Sequence, residues 1–308
     1  YGIKDKPKFG QLLVFAFQQL LAIMAATIAV PAIVGNDMSA SAALFGAGVG
    51  TIVYQLFTKF RSPVFLGSSF AFIGSMSAAF AGAASAALGY LGIIIGAVFA
   101  GLVYVVIAII VKLVGVNWIN KLMPAVVIGP TVAIIGLSLA GNAVSDLTKV
   151  NAGELGSLYV ALICGLITLF VTMLCSTYGK KTISLIPFII GILAGYLAAT
   201  IFYFIGKATE NEALMIINFA PFTQMQSFFE VPDFTFLTAL KGIGEINGTY
   251  IATIAVAYIP VAFVVFAEHI ADHKNISSII ERDLLEEPGL SRTLLGDGVG
   301  SMVGAFFG

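Results

Sequence analysis

The residues best suited to chemistry stand together in Phe266-Ala267-Glu268-His269-Ile270-Ala271-Asp272-His273. Glu268 and Asp272 are four apart, so on a helix both carboxylates face one side, a turn from each other. His269 and His273 form a second row about 100° round. Like charges at that spacing repel, an arrangement suited to taking up a proton. An ionisable side chain at membrane depth costs about 2.5–3.5 kcal/mol on insertion scales and is a functional candidate by default. Two positions of Glu268 are compatible with the sequence. Thr249 to Ala267 is 19 residues, enough to leave Glu268 at the inner headgroups as a polar helix end, or the carboxylate lies deeper and acts there.

The second candidate is Pro63-Val64-Phe65-Leu66-Gly67-Ser68-Ser69-Phe70. It reads as a short β-leaning run, a Gly-Ser-Ser break, and then a half-length helix of small residues from about Ala71 to Ala84. Ser68 and Ser69 are good N-cap residues, and the free amides at Phe70 and beyond would point into the protein at membrane depth. Broken helices in lipid are tolerated where they line a cavity, and their amides suit acceptor atoms of a substrate; a re-entrant element that only packs is the other reading. Asp297 in Gly296-Asp297-Gly298 reads as a cap at the start of the last helix. The chain has no HExxH, GxSxG or Walker A motif and no Cys/His cluster with ligand spacing, so no enzyme chemistry, metal or cofactor is expected. Cys164 and Cys175, eleven residues apart, would stand roughly 16 Å apart on one helix and cannot pair there.

The elements that must position these groups follow from composition. Of 308 residues 59% are apolar and 10% charged, with a mean hydropathy of +1.03. Soluble domains carry about 25% charged residues, so the solvent for most of this surface is lipid. At about 20 apolar residues per span the chain has room for about eight or nine helices. A net charge of -1 argues against nucleic acid as a partner. No signal peptide is apparent, and Tyr1 reads as a fragment boundary. Apolar runs place spans near 11–34, 39–57, 92–114, 122–144, 156–175, 183–205, 247–270 and 293–307. GxxxG pairs at Gly46/Gly50, Gly92/Gly96, Gly191/Gly195 and Gly300/Gly304 predict close helix packing.

If residues 63–87 count as one broken traverse and the N-terminus lies inside, the inner loops hold Lys4, Lys6, Lys8, Lys59, Arg61, Lys112, Lys121, Lys180, Lys181, Lys274, Arg282 and Arg292. Only Lys149, Lys207 and Lys241 fall outside, which is the asymmetry expected of that orientation. Trp118, at an inner helix end, reads as an interfacial anchor. The outer segment 206–246, carrying Glu210, Glu212, Glu230, Asp233 and Glu245 and an aromatic stretch broken by Pro221 and Pro232, reads as a packed or interfacial loop. Segment 274–292 reads as a solvated turn.

Gln18-Gln19-Leu20 with Ala26-Thr27-Ile28-Ala29-Val30-Pro31, then Leu66-Gly67-Ser68-Ser69-Phe70-Ala71-Phe72, then Ala267-Glu268-His269, then Asp283-Leu284-Leu285 with Pro288-Gly289-Leu290, closely resemble the bacterial uracil permeases of the nucleobase/ascorbate transporter family. The resemblance runs from about Phe9 to the last residue. It implies an all-α polytopic membrane protein of fourteen segments in two inverted repeats of seven, arranged as a core domain and a gate domain. Here 9–115 and 247–308 would belong to the core, 116–206 to the gate, and 207–246 to an outer connection. About nine segments would be present, with the tenth, its second strand and half-helix and a second acidic ligand beyond Gly308. These residues alone would hold about half of a site and would not transport unaided.

The resemblance further implies a proton-coupled uracil importer of the bacterial inner membrane, with a purine or xanthine carrier of the same family as the alternative. Phe70, beside Ser69, would offer its amide to a base carbonyl, and Glu268 would accept from ring N–H groups. Asp272 and Gln19 stand where some relatives have histidine and would belong to the proton-coupling network around Glu268. The implied partners are uracil or a related nucleobase, the proton, the lipid bilayer and a second copy of the chain.

Overall fold

The computed structural model describes residues 7–122, 124–148, 157–180, 183, 186–219 and 231–308. Lys4, Lys6, Lys149, Lys181, Pro221 and Glu230, named above, lie outside them. Among the described residues the secondary structure is entirely helical. Six helices are long and apolar enough to cross a membrane: α1 (Phe9–Val34), α2 (Ala40–Thr58), α4 (Ala86–Val114), α7 (Leu158–Tyr178), α8 (Pro187–Thr209) and α10 (Gly248–Ile280). Between them stand α3 (Ile73–Ala81), α5 (Asn117–Leu122), α6 (Ala125–Thr148) and α9 (Thr235–Ala239), and α11 (Leu290–Phe307) follows α10. Backbone packing divides the chain into two units, one of Ala26–Leu137 with Pro232–Gly308 and Tyr1–Pro7, the other of Lys8–Ala25 with Ser138–Val231.

Side-chain caps set several starts. Ser39, Ser85 and Asn247 accept from the amides of Ala42, Leu88 and Tyr250 at 3.3, 3.1 and 2.8 Å. The Ser85 cap begins α4 six residues before the expected position, because an Ala- and Ser-rich stretch gives hydropathy no break to read. The half-helix therefore ends earlier, at Ala81, with Gly82 as its C-cap. α10 runs ten residues past the expected end at 270, so Glu268 lies about three turns before its C-terminus.

In the first unit, glycines let α11 enter between α2 and α4. A Cβ at Gly50 would stand 2.8 Å from the Gly300 carbonyl oxygen, and one at Gly304 would stand 3.0 Å from that of Gly46. Pairing 46 with 304 and 50 with 300 makes α2 and α11 antiparallel. α4 meets α11 in the same sense, Gly101 and Tyr104 against Gly298 and Met302, with Val111 and Ala108 in the cluster that holds Leu290 and Leu294. α2 and α4 thus run the same way, and the residues between them must return the chain. Nine extended residues, 61–69, reach about 30 Å and the twelve-residue helical stretch Phe70–Ala81 about 18 Å, sufficient for that return. Gly92 and Gly96 receive the rings of Tyr250 and Tyr258, which sets α10 parallel to α4.

The strand expected at 63–70 is not formed: among the described residues 63–69 have no regular secondary structure and no sheet partner, and Phe70 already begins a helical turn. Side chains of α2 take the place of a ladder. Thr51 Oγ1 accepts from the Leu66 amide at 2.9 Å, and Gln55 Nε2 donates to the carbonyls of Ser62 and Val64, each at 2.8 Å. Trp118, expected as an interfacial anchor, is half-buried against the cluster of α4, α10 and α11 that contains Ile107, Ile270 and Leu290, and its indole Nε1 is buried without a partner among the described residues. The described end of the outer connection is packed, with Phe236 stacked on Phe306 at 4.7 Å.

In the second unit, Gly191 and Gly195 of α8 face Thr172 and Thr168 of α7, an antiparallel pair. Each threonine hydroxyl is satisfied four residues back in its own helix, Thr168 by Cys164 and Thr172 by Thr168. Phe219 packs edge-on against Tyr203 at 4.9 Å. Both cysteines are free.

Candidate functional site

The half-helix begins with a tight 3-10 turn, Phe70–Phe72, that runs into α3. Ser69 occupies the cap position with extended dihedrals, but its Oγ makes no capping bond. Ser68 Oγ donates instead to the Thr27 carbonyl at 3.4 Å. The expected side-chain cap is therefore not formed. In the tight first turn the Ser69 carbonyl accepts from the Phe72 amide at 3.3 Å, and the amides of Phe70 and Ala71 have no acceptor among the described residues. Those amides and the helix dipole make this end attractive to an acceptor atom.

The half-helix is fastened to α10, which carries Glu268. Ser75 Oγ donates to the Ala257 carbonyl at 2.7 Å, and Tyr250 Oη to that of Ala79 at 2.8 Å. Phe72 stacks on Tyr258 at 5.5 Å. The structure thus brings together the elements bearing Phe70, Ser69 and Glu268. Glu268 is half-buried, and its carboxylate accepts no hydrogen bond among the described residues; Asp272, one turn on, is exposed. Gln19 is exposed on α1, in the part that belongs to the second unit.

It is the histidine row, not the carboxylate row, that packs inward. His269 and His273 are 6% and 1% exposed and their rings stack at 4.0 Å. His269 Nδ1 lies 2.7 Å from Asp297 Oδ2, and its Nε2 lies 3.1 Å from Thr293 Oγ1. His273 Nδ1 donates to the His269 carbonyl at 2.8 Å, and its Nε2 lies 2.8 Å from Tyr54 Oη. Asp297 is consequently not a helix cap. It sits inside α11, where Gly296 and Gly298 allow close approach to Tyr54 and Gly101. Its other oxygen accepts from Ser301 Oγ at 3.2 Å. The i, i+4 spacing of the two histidines was the available signal for this row; its partners, 24 to 219 residues away in sequence, gave none.

Near the connection between α10 and α11, Arg61 donates to Glu287 at 2.6 Å and Arg282 to the same carboxylate at 3.0 Å. The expected turn at 274–292 is shorter, because α10 continues to Ile280 and α11 begins at Leu290; Leu284 and Pro288 are buried, so the connection 281–289 is anchored and carries a charged outer face. Among the described residues no group of three or more His, Cys, Asp or Glu side chains is placed to hold a metal ion. The site can offer two amides and a carboxylate, and the same helix carries a buried imidazole paired with the half-buried carboxylate of Asp297. That set complements a small planar ligand carrying both carbonyl acceptors and N–H donors.

Residues 10–308 match the model of a family described as the permease family. Among similar proteins, the uracil permease of Bacillus caldolyticus is 38% identical over 307 residues, covering 99% of this chain and 65% of the relative. That of Bacillus subtilis (strain 168) is 36% identical over 311 residues, covering 100% of this chain and 65% of the relative. That of Escherichia coli (strain K12) is 29% identical over 307 residues, covering 100% of this chain and 64% of the relative. The chain therefore spans about two thirds of the length of the relatives it matches. They are permeases, not enzymes.

Proposed function

The chain belongs to the permease family and is a multi-pass membrane protein, and on that premise we propose that it carries the substrate-binding core of a proton-coupled uracil importer of the bacterial plasma membrane. The observation that carries this reading is the pairing of two unlike polar groups on packed elements. The amides of Phe70 and Ala71, which have no acceptor among the described residues, head the half-helix, and the half-buried Glu268 stands on the helix to which it is fastened. Uracil has two carbonyl acceptors and two N–H donors on one ring. The Phe70 amide binds a carbonyl, with Ser69 beside it, and Glu268 accepts from a ring N–H. Protonation of Glu268 removes its charge and part of its acceptor capacity, so proton binding and base binding are linked reciprocally. Asp272, a turn away on the same face, and Gln19 contribute to the proton path.

The uracil permeases among the relatives support the substrate. The lysine and arginine distribution supports a cytoplasmic N-terminus. The core and gate division, the inverted repeat and pairing of two copies belong to the same proposal.

Uptake of labelled uracil by cells expressing the intact gene product, with and without a protonophore, tests it. Wild-type uptake is expected to collapse with the protonophore, and Glu268→Gln to lose at least tenfold, the order of one charge-assisted hydrogen bond. Normal protonophore-sensitive uptake by Glu268→Gln would sink the mechanism. Stronger inhibition of that uptake by excess xanthine than by the same excess of unlabelled uracil would reassign the substrate.

A further inference from the structure

Two fastenings hold the proposed site, one on each side of it. On one side Ser75 and Tyr250 tie the half-helix to α10. On the other stands Tyr54 of α2, whose Oη lies 2.8 Å from Ser62 Oγ and 2.8 Å from His273 Nε2. Ser62 lies at the start of segment 61–69, which leads into Phe70, and His273 follows Glu268 by five residues on α10. Tyr54, Ser62 and His273 are each at most 1% exposed. Among the described residues, Tyr54 Oη is the one side-chain atom bonded to both the extended segment and α10.

The direction of this chain follows from its partners. The His269 carbonyl can only accept, so His273 Nδ1 carries a hydrogen. A neutral imidazole then presents Nε2 as an acceptor, to which Tyr54 donates, and Tyr54 accepts from Ser62. Each hydroxyl proton is used once along Ser62, Tyr54 and His273. The same face of α2 also holds the rest of the segment, through Gln55 to Ser62 and Val64 and through Thr51 to Leu66. α2 is a common template for the two pieces, and Tyr54 sets their relative depth.

We propose that Tyr54, acting with His273, is a positioning residue of this transporter, fixing the gap between the Phe70 amide and the Glu268 carboxylate and so the size of ring the site accepts. The proposal rests on the functional reading above. Neither side chain meets the ligand; both act through the backbones they hold.

Tyr54→Phe keeps the ring and removes the hydroxyl. Measured on the intact transporter, its KM for uracil is expected to rise about tenfold, the order set by one buried hydrogen bond. Vmax per transporter in the membrane stays near wild type, and the preference for uracil over the bulkier thymine narrows. His273→Gln retains an acceptor for Tyr54 and restores most of the KM; His273→Leu does not, and Tyr54→Phe with His273→Leu is no worse than either alone. A lowered amount of transporter with unchanged KM, equal defects in His273→Gln and His273→Leu, or additive losses in the double variant would each overturn the positioning role. Absence of uracil uptake by the wild type removes the functional reading and this role together. Wild-type uptake with an unchanged KM in Tyr54→Phe removes this role alone.

Discussion

His269 and Asp297 show how much of the site depends on partners distant in sequence. The His269 ring faces a carboxylate on one edge and the Thr293 hydroxyl on the other. Thr293 can give its single proton to the Leu290 carbonyl at 3.0 Å or to His269 Nε2, and that choice decides whether Nε2 brings its own. Asp297→Asn keeps the shape and removes the charge from a pair whose histidine side chain is 3% exposed. It is expected to cost about 1.5–3 kcal/mol, the range for a hydrogen bond to a charged group, and to lower the melting temperature in detergent. Ser301→Ala, which removes an exposed bond to the same carboxylate, is expected to stay within about 0.5 kcal/mol. Equal melting of Asp297→Asn and wild type would show that the pair adds nothing. Glu268 stood out in the sequence as a candidate because a carboxylate after a long apolar run is expensive. Asp297 was not, because a Gly-Asp-Gly triplet looks the same whether its glycines make a turn or admit a neighbouring helix.

α2 makes three kinds of contact at once. Its glycines receive α11, Tyr54 reaches α10, and Thr51 and Gln55 hold the segment leading to the half-helix. Gly50→Val is expected to drive its side chain against the Gly300 backbone, which cannot rotate aside, at a cost of about 1–3 kcal/mol or more. Gly48→Ala, with nothing within 4 Å, is the matched control. Monodisperse protein recovered by size-exclusion chromatography should fall for the first and hold for the second; equal recovery would refute the close contact. The spans were readable because each long apolar run has one outcome in lipid. The break at Pro63–Phe70 was readable from its punctuation, whereas its lack of a sheet was not. The groups that satisfy it, Thr51 and Gln55, lie inside what hydropathy scores as uniform helix.

For the molecule as a whole, the proposed orientation puts Lys59 inside and Lys207 outside. In a Cys164→Ala, Cys175→Ala background, Lys207→Cys is expected to react with a membrane-impermeant maleimide on intact cells, and Lys59→Cys only after permeabilisation. The reverse pattern would invert the orientation. Large-scale order was legible in part: six of the eight expected spans coincide with helices long and apolar enough to cross a membrane, whereas those expected at 122–144 and 293–307 are the helices α6 and α11, which are not among the six. Hydropathy carries no information on which spans are neighbours, so a grouping of early with late spans could come only from the resemblance, and the compact unit has its own bounds, residues 26–137 with 232–308. That grouping has a consequence for synthesis. The groove between α2 and α4 is lined by glycine and stands complete once Val114 has emerged, but the helix that fills it begins at Leu290. At about 5–20 residues per second the ribosome takes roughly 10–35 s to supply it. Through that interval the groove must be kept open by lipid or by the insertion machinery, and a helix from a neighbouring nascent chain that enters it first would compete with the protein's own.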